Sequence, residues 1–424
     1  MKALLEQVNR HKSGVETGIY SVCTANPLVI EAAMLHALKH NETLLIEATS
    51  NQVNQYGGYT GLTPKDFAQL TQNLAEKVGF PQDRLILGGD HLGPNCWQDL
   101  SAAEAMERSK VMFEEYVRAG FKKLHLDCSM SCADDPTPLG DAEVAARAAF
   151  LCKTAEYTWQ EVGGEKLVYI IGTEVPVPGG AQDDSEELLP TTAEDAQTTL
   201  AIHYDAFLNA GLKDVWPRII GLVVQPGVEF GSHTITHFAP EKAKQLSRSI
   251  EQQPTMLFEA HSTDYQSTQH LKDLVSHHFA ILKVGPWLTF AFREACYALE
   301  HIEQEWIDAK QHSHLRKTLM HEMFDQPKYW QKYYKGSEQE ILFDCHYSLS
   351  DRVRYYWPNA KVQQALSTLI ENLDNRPPPL PLISQYMPEQ YEALQAGDIA
   401  YSARALIFHK ISTVLSRYSF ACTA

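Results

Sequence analysis

Up to about position 300, short runs rich in apolar and β-branched residues alternate with longer stretches of helical period, the pattern of repeated βα units. Eight runs read as strands: 18–25, 43–49, 84–89, 123–127, 167–172, 219–224, 255–259 and 280–284. Several are nearly continuous in apolar residues, as in Leu85-Ile86-Leu87, Val168-Tyr169-Ile170-Ile171 and Gly221-Leu222-Val223-Val224, which suits parallel strands buried on both faces. Between them lie helices with recognisable starts. Thr63 is followed by Pro64 at the first helical position and Asp66 in the first turn, and Thr191-Thr192 is followed by Glu194-Asp195. Eight such units predict a closed α/β fold, a (β/α)8 TIM barrel, with functional groups on the loops after the strands. An open doubly wound sheet is the competing topology, but no Gly-x-Gly-x-x-Gly follows the first strand.

After about residue 304 the alternation stops and the chain becomes polar, aromatic and helix-rich, with Tyr333-Tyr334 and Tyr355-Tyr356-Trp357. The expected organisation is a TIM-barrel domain over 1–303 and a helical C-terminal extension over 304–424 packed on it. Pro377-Pro378-Pro379 marks a stiff connection before the last helices, at roughly 386–420.

Charge narrows the function. Lys and Arg number 36 against 53 Asp and Glu in 424 residues, a formal net charge of −17. Such a surface repels phosphate backbones and anionic lipid, and no basic patch overrides it, so neither nucleic acid nor membrane is an expected partner. No run reaches the roughly 18 apolar residues of a membrane span, and the start MKALLEQVNRHKSG is too polar for a signal-peptide core, so a cytoplasmic location is expected. Eight scattered cysteines without a Cys-x-x-Cys pair fit reduced thiols, with Cys128 and Cys132 as packing residues.

The candidate chemistry lies at the strand ends: Glu47 to Asn51-Gln52 after strand two, Asp90-His91 after strand three, His125 and Asp127 on strand four, Glu174 after strand five, Gln225 and Glu229 after strand six, Glu259 and His261 on strand seven, Lys283 on strand eight. In a barrel these converge on one mouth. His91, His261, Glu174 and Asp90 have the donor types a divalent metal uses. Asp90 reads either as a general acid/base at a metal-bound sugar carbon or as an Asx-turn residue in Gly-Gly-Asp-His-Leu-Gly-Pro. Glu174, ahead of Val-Pro-Val-Pro-Gly-Gly, reads as a metal ligand and proton acceptor or as an ion-pair residue under a long loop. Arg352 and Arg354 would place two guanidiniums on one side of an extended segment, suited to a phosphate if it folds over the mouth and otherwise to surface ion pairs. Asn51, Gln52 and Lys283 complete the expected substrate contacts.

Seven segments, IEATSNQVNQY (46–56), LGGDHLGP (87–94), HLDCSMSC (125–132), IGTEVPVPGG (171–180), VQPGVEF (224–230), FEAHSTDYQ (258–266) and SDRVRYYW (350–357), closely resemble the GatZ/KbaZ family of D-tagatose-1,6-bisphosphate aldolase subunits. The resemblance implies a TIM barrel without aldolase activity alone, required in a chaperone-like way for the activity and stability of a separate class II catalytic subunit of the KbaY/GatY type. That partner splits D-tagatose 1,6-bisphosphate into glycerone phosphate and D-glyceraldehyde 3-phosphate, in tagatose 6-phosphate degradation during galactitol or N-acetylgalactosamine catabolism. Class II aldolases resemble the chain more distantly. Their Asp-His pair matches Asp90-His91, their glutamate before a Gly-Gly turn matches Glu174, and a further zinc histidine corresponds to His261, implying Zn2+ or another divalent metal. No clear third histidine is evident, and Lys283-Val284-Gly285 stands where those enzymes have a Gly-rich phosphate loop. Other relatives of the family act alone as metal-dependent epimerases at C4 of ketohexose 6-phosphates, interconverting tagatose and fructose 6-phosphate, which gives the alternative function. A kinase is disfavoured, since no Gly-x-x-x-x-Gly-Lys-[Ser/Thr] occurs.

Overall fold

Eight short strands carry the apolar runs: β1 (Ile19–Cys23), β2 (Leu44–Thr49), β3 (Leu85–Leu92), β4 (Lys123–Leu126), β5 (Val168–Ile171), β6 (Ile219–Val224), β7 (Leu257–Ala260) and β8 (Ile281–Val284). In the computed structural model, which describes residues 1–173 and 188–423, they form a closed barrel in which each strand lies beside its sequence neighbours and β8 pairs with β1. Every pair is parallel. Ser21 lies opposite both Leu45 on β2 and Lys283 on β8, and Glu47 lies opposite Gly88. The predicted TIM barrel is therefore the fold. A two-stranded ribbon, Glu229–Phe230 with Ile235–Thr236, rises from the loop after β6.

Helix α1 (Lys2–Lys12) precedes the barrel, and α2 (Pro27–Lys39), α3 (Pro64–Val78), α4 (Ala102–Arg118), α5 (Asp141–Val162), α6 (Ala193–Asn209), α7 (Pro240–Ser249) and α8 (Thr268–Ser276) are the crossovers. Their starts follow local chemistry. The Thr63 hydroxyl accepts from Asp66 N–H at 3.3 Å while the Asp66 carboxylate accepts from Thr63 N–H at 3.1 Å, and Pro64 opens α3. Thr192 caps α6, its hydroxyl accepting from Asp195 N–H at 3.1 Å.

After β8 the chain runs through α9 (Pro286–Trp306), α10 (Leu315–Asp325), α11 (Glu338–Tyr347), α12 (Ala360–Asn375), α13 (Leu380–Tyr386), α14 (Pro388–Ala396) and α15 (Ala403–Cys422). The last of these returns to the barrel. Helix α15 packs against α2, α8 and α9, and so closes the helical ring at the β8–β1 seam. It is apolar on more than one side because it has neighbours on more than one side: Leu406, Ile407, Ile411, Val414, Leu415 and Tyr418 are all buried. At about 1.5–3 kcal/mol per large apolar side chain, this burial is of the order of 10 kcal/mol, comparable to the net stability of a folded domain. Polar contacts fix its position. Cys422 O accepts from Gly18 N–H at 3.0 Å and from the Thr17 hydroxyl at 2.8 Å, and Arg404 pairs with Glu31 of α2.

Candidate active site at the barrel mouth

Strand residues two apart share a face, so a charged residue every second position on a buried strand points into the barrel. Lys123, His125 and Asp127 follow this rule, as do Glu259 and His261. A Cβ added to Gly88 would meet Glu47 Oε1 at 2.5 Å, which places the Glu47 side chain directly across the glycine on β3.

Asp90 and His91 are consecutive and would normally face opposite sides. The β3–β4 register gains one residue between Gly89 and Leu92, and His91 adopts φ 45°, in the left-handed region. This bulge brings both side chains to the mouth. The turn is held by His91 N–H donating to Asp90 Oδ1 at 3.0 Å and by the Ser50 hydroxyl donating to His91 O at 2.7 Å.

Inside the barrel the charges form a closed set. Lys123 Nζ lies 2.7 Å from Glu47 Oε1 and 2.6 Å from Glu259 Oε2, with all three side chains fully buried. Lys283 Nζ pairs with Glu47, lies 2.9 Å from Asp90 Oδ1 and reaches Glu259 Oε1 at 3.8 Å. Burial works against the Asp90 carboxylate, but the Lys283 ammonium and then His91 outweigh it and hold Asp90 well below the ordinary carboxylate range. Burial opposes the charge on Lys123 too, and Glu259 and Glu47 more than restore it.

A hydrogen-bonded chain runs across the mouth. His91 Nδ1 lies 2.8 Å from Asp127 Oδ2, His91 Nε2 lies 3.1 Å from His261 Nδ1, and His261 Nε2 lies 3.0 Å from Glu259 Oε1. Burial lowers the His91 pKa, but Asp90 and Asp127 overcome it and raise it; burial dominates at His261 and lowers it to about 4. The two shifts run in opposite directions: the carboxylates beside His91 favour its charged form, and burial favours the neutral form of His261.

His125 Nδ1 lies 3.1 Å from Asp90 Oδ1 and 3.2 Å from the His91 N–H, while His125 Nε2 is buried with no hydrogen-bond partner among the described residues. A histidine whose one nitrogen is fixed by a carboxylate and whose other is free is the common arrangement of a metal ligand. Asp90, His125, Glu259 and His261 each place a ligand atom within 4.8 Å of the others. Two imidazole nitrogens and two carboxylate oxygens fit Zn2+ or another borderline divalent ion. Charge fits as well: four carboxylates (Glu47, Asp90, Asp127, Glu259) face two ammonium groups, so the carboxylates outnumber the lysines by two.

Above this floor opens a cavity of about 390 Å³, a size suited to a small polar ligand. Of the residues expected there, Asn51, Gln52, Asp90, His91, His261, Lys283 and Arg354 line it. Glu174 lies outside the described residues. Arg352 is not in the lining, and here the expectation needs correcting. Residues Arg352–Tyr356 form a 3-10 turn, not an extended segment, so the two arginines diverge. Arg352 is buried, with Nη1 donating to Tyr329 O at 3.0 Å and its guanidinium over the Tyr333 ring. Lys283 reaches the cavity, but its ammonium is committed to carboxylates.

Of the expected metal ligands, His261 belongs to this donor set and His91 does not; His125 stands there instead, and it, Lys123 and Glu259 had no assigned role. The period-two placement of Lys123, His125 and Asp127 in a strand that is otherwise apolar was the available signal.

The model of the family described as "D-tagatose-1,6-bisphosphate aldolase subunit GatZ/KbaZ-like" matches residues 4–423. A crystal structure of a probable tagatose 6 phosphate kinase from Sinorhizobium meliloti 1021 is similar with a TM-score of 0.88 and 45% identity, over 96% of this chain and 100% of that one. The YdjI aldolase from Escherichia coli K12 is a much looser likeness, with a TM-score of 0.42 and 13% identity over 86% of this chain and 94% of its own. Among the described residues no helix is long and apolar enough to cross a membrane. With the family model spanning nearly its whole length, the chain belongs to the GatZ/KbaZ-like family of D-tagatose-1,6-bisphosphate aldolase subunits.

Proposed function

We propose that the barrel mouth is a working metal-dependent site that epimerises a ketohexose 6-phosphate at C4, interconverting the tagatose and fructose forms. The observation that supports this is that Asp90 and His261, two of the four grouped donors, line the 390 Å³ cavity, with His125 and Glu259 hydrogen-bonded to them. Burying many ionised groups together costs several kcal/mol per ion, and such clusters are a weak source of stability, so a reacting ligand is the better reason for keeping them.

Inversion at C4 of a 2-ketose requires breaking and remaking a bond at that carbon. Cleavage between C3 and C4, rotation of the aldehyde half and re-addition balances without an oxidant. Asp90, ionised at the cavity floor, takes the hydroxyl proton and returns it. His91, held between Asp127 and His261 and lining the cavity, hydrogen-bonds the sugar oxygens. A divalent ion held by His125, Glu259 and His261, with Asp90 kept for proton transfer, would polarise the ketose carbonyl. Glu174 is proposed as a further acid/base or metal-binding residue.

The purified chain should convert D-tagatose 6-phosphate to D-fructose 6-phosphate with Zn2+, Mn2+ or Mg2+, stop with EDTA, and lose about 10²–10⁴-fold in kcat in Asp90→Asn. Absence of conversion under every metal would sink this reading.

The family description favours a second role, which the first does not replace: a stabilising, chaperone-like subunit for a KbaY/GatY-type class II aldolase in tagatose 6-phosphate degradation. Large apolar side chains stand exposed on three neighbouring helices, Val111 on α4, Phe150 and Tyr157 on α5, Tyr204 and Leu208 on α6, as a contact surface would require. Adding the chain to the purified aldolase should raise its activity and half-life; no change in either would remove this role.

A further inference from the structure

Barrel enzymes commonly seat a phosphate on the loops after strands seven and eight, against the N-terminus of a helix whose free N–H groups face the anion. Here that position is already filled. Asp264, in the loop after β7, is buried and accepts from Gly285 N–H at 3.0 Å and from Trp287 N–H at 2.8 Å, so its carboxylate sits on the N-terminus of α9. Asp264 and Gly285 both line the cavity. A ligand phosphate is thus excluded from this corner twice over: its donors are spent, and a carboxylate stands in the way.

Another part of the lining offers the reverse. Arg354 enters the cavity from the 3-10 turn of the extension. Its Nη1 donates to the carbonyls of Ser350 and Asp351, and its Nη2 to the Tyr355 hydroxyl at 3.0 Å. These contacts use three of the five guanidinium N–H donors and neutralise none of its charge. Asp351, the adjacent carboxylate, is turned elsewhere, accepting from Arg293 Nε at 3.1 Å and from the Thr289 hydroxyl at 2.7 Å. Among the described residues lining the cavity, Lys283 is paired with carboxylates, whereas Arg354 makes no direct ion pair. The side chain is also held in place: Tyr355, beneath the guanidinium, stacks on Tyr329 at 4.7 Å and meets Tyr59 edge-on at 4.6 Å.

We infer that Arg354 reads the single phosphate of the sugar and that Asp264 rejects a second, making the site selective for hexose monophosphates over bisphosphates. This rests on the reading of the mouth as a sugar-phosphate site, but concerns binding and not turnover. It assigns the cleavable bisphosphate to some other active site and leaves this one the monophosphate. The extension then acts as the specificity element of the barrel.

Isothermal titration of the full chain with Zn2+ against D-tagatose 6-phosphate, D-tagatose 1,6-bisphosphate and free D-tagatose tests it. The monophosphate should bind about 10–100-fold more tightly than either of the others. Arg354→Gln should collapse the preference for monophosphate over free sugar, whereas Arg354→Lys should keep most of it. Asp264→Asn, which retains the capping oxygen but loses the charge, should bring the bisphosphate to within about threefold of the monophosphate. A preference untouched by Arg354→Gln, or wild-type protein that binds the bisphosphate as well as the monophosphate, overturns the inference while leaving a sugar-phosphate site in place. Failure of all three sugars to bind overturns both. Arg354-dependent binding without conversion upholds the inference and removes the epimerase.

Discussion

Asp90 and Lys283 line the inner end of the cavity and belong to a set from β2, β3, β4, β7 and β8, completed by Glu47, Lys123 and Glu259, whose members pair with one another away from water. The outer wall comes from the extension, where Arg354 is held by carbonyl oxygens and tyrosines and keeps its full charge toward the cavity. Both regions are rich in ionisable groups, yet they differ in whether the charge is cancelled. A cancelled set keeps its geometry fixed for chemistry, whereas an uncancelled cation waits for a ligand to complete it. On the proposed function, chemistry falls to the barrel and recognition to the extension.

The strongest way to break the comparison is to remove what joins the two regions. The Tyr418 hydroxyl of α15 donates to Thr263 O at 2.8 Å, and the Thr263 hydroxyl donates to Lys283 O at 2.6 Å, so the closing helix is tied to the floor. A chain ending at Ser402 should lose the whole of its cooperative urea transition by far-UV circular dichroism. A transition with an unchanged midpoint would show that the ring closes without α15.

Next in size is Lys123→Met, which leaves Glu47 and Glu259 with only Lys283 between them. It should cost about 3–5 kcal/mol in urea unfolding, because an unpaired buried carboxylate remains. A loss below 1 kcal/mol would mean that the floor charges are not mutually dependent.

His203 on α6 supplies the contrast of a buried group with no counter-ion. Its Nδ1 meets Thr199 O at 2.9 Å, and burial lowers its pKa to about 4 despite that bond. The folded value lies below the ordinary 6.5, so the unfolded state takes up the proton first. Stability is complete above about pH 6.5 and falls as the pH drops from 6.5 toward 4, by about 2 kcal/mol at pH 5 from this residue. His203→Leu should flatten that part of the stability profile; an unchanged slope would assign the acid sensitivity elsewhere.

The smallest effect belongs to the wall. Tyr355→Leu removes the ring beneath Arg354 and should raise KM for the monophosphate about 3–10-fold with kcat little changed. A fall in kcat alone would place Tyr355 with the chemistry.

The barrel was legible because its strands are buried on both faces and stand out as apolar runs between capped helices such as α3. The approach of Asp90 to His261 followed from closure alone. Its partner His125 was harder to find, since strand four is only four residues long and its polar positions looked like strand ends. Arg352 was misplaced for a local reason: alternation along Arg352–Tyr356 holds for an extended backbone and fails in a 3-10 turn. The self-capping of α9 by Asp264 joins residues more than twenty positions apart and has no sequence signature at all.

The closing helix also sets a timetable. The eighth strand is finished at Val284, but α15 begins only at Ala403, about 120 residues later. At the ~5–20 residues per second of protein synthesis, roughly 6–24 s pass in which a nascent chain holds all eight strands and an empty slot between α2 and α8. During that interval the slot is open to the α15 of a neighbouring chain on the same message, so helix exchange between copies is the misassembly this topology invites.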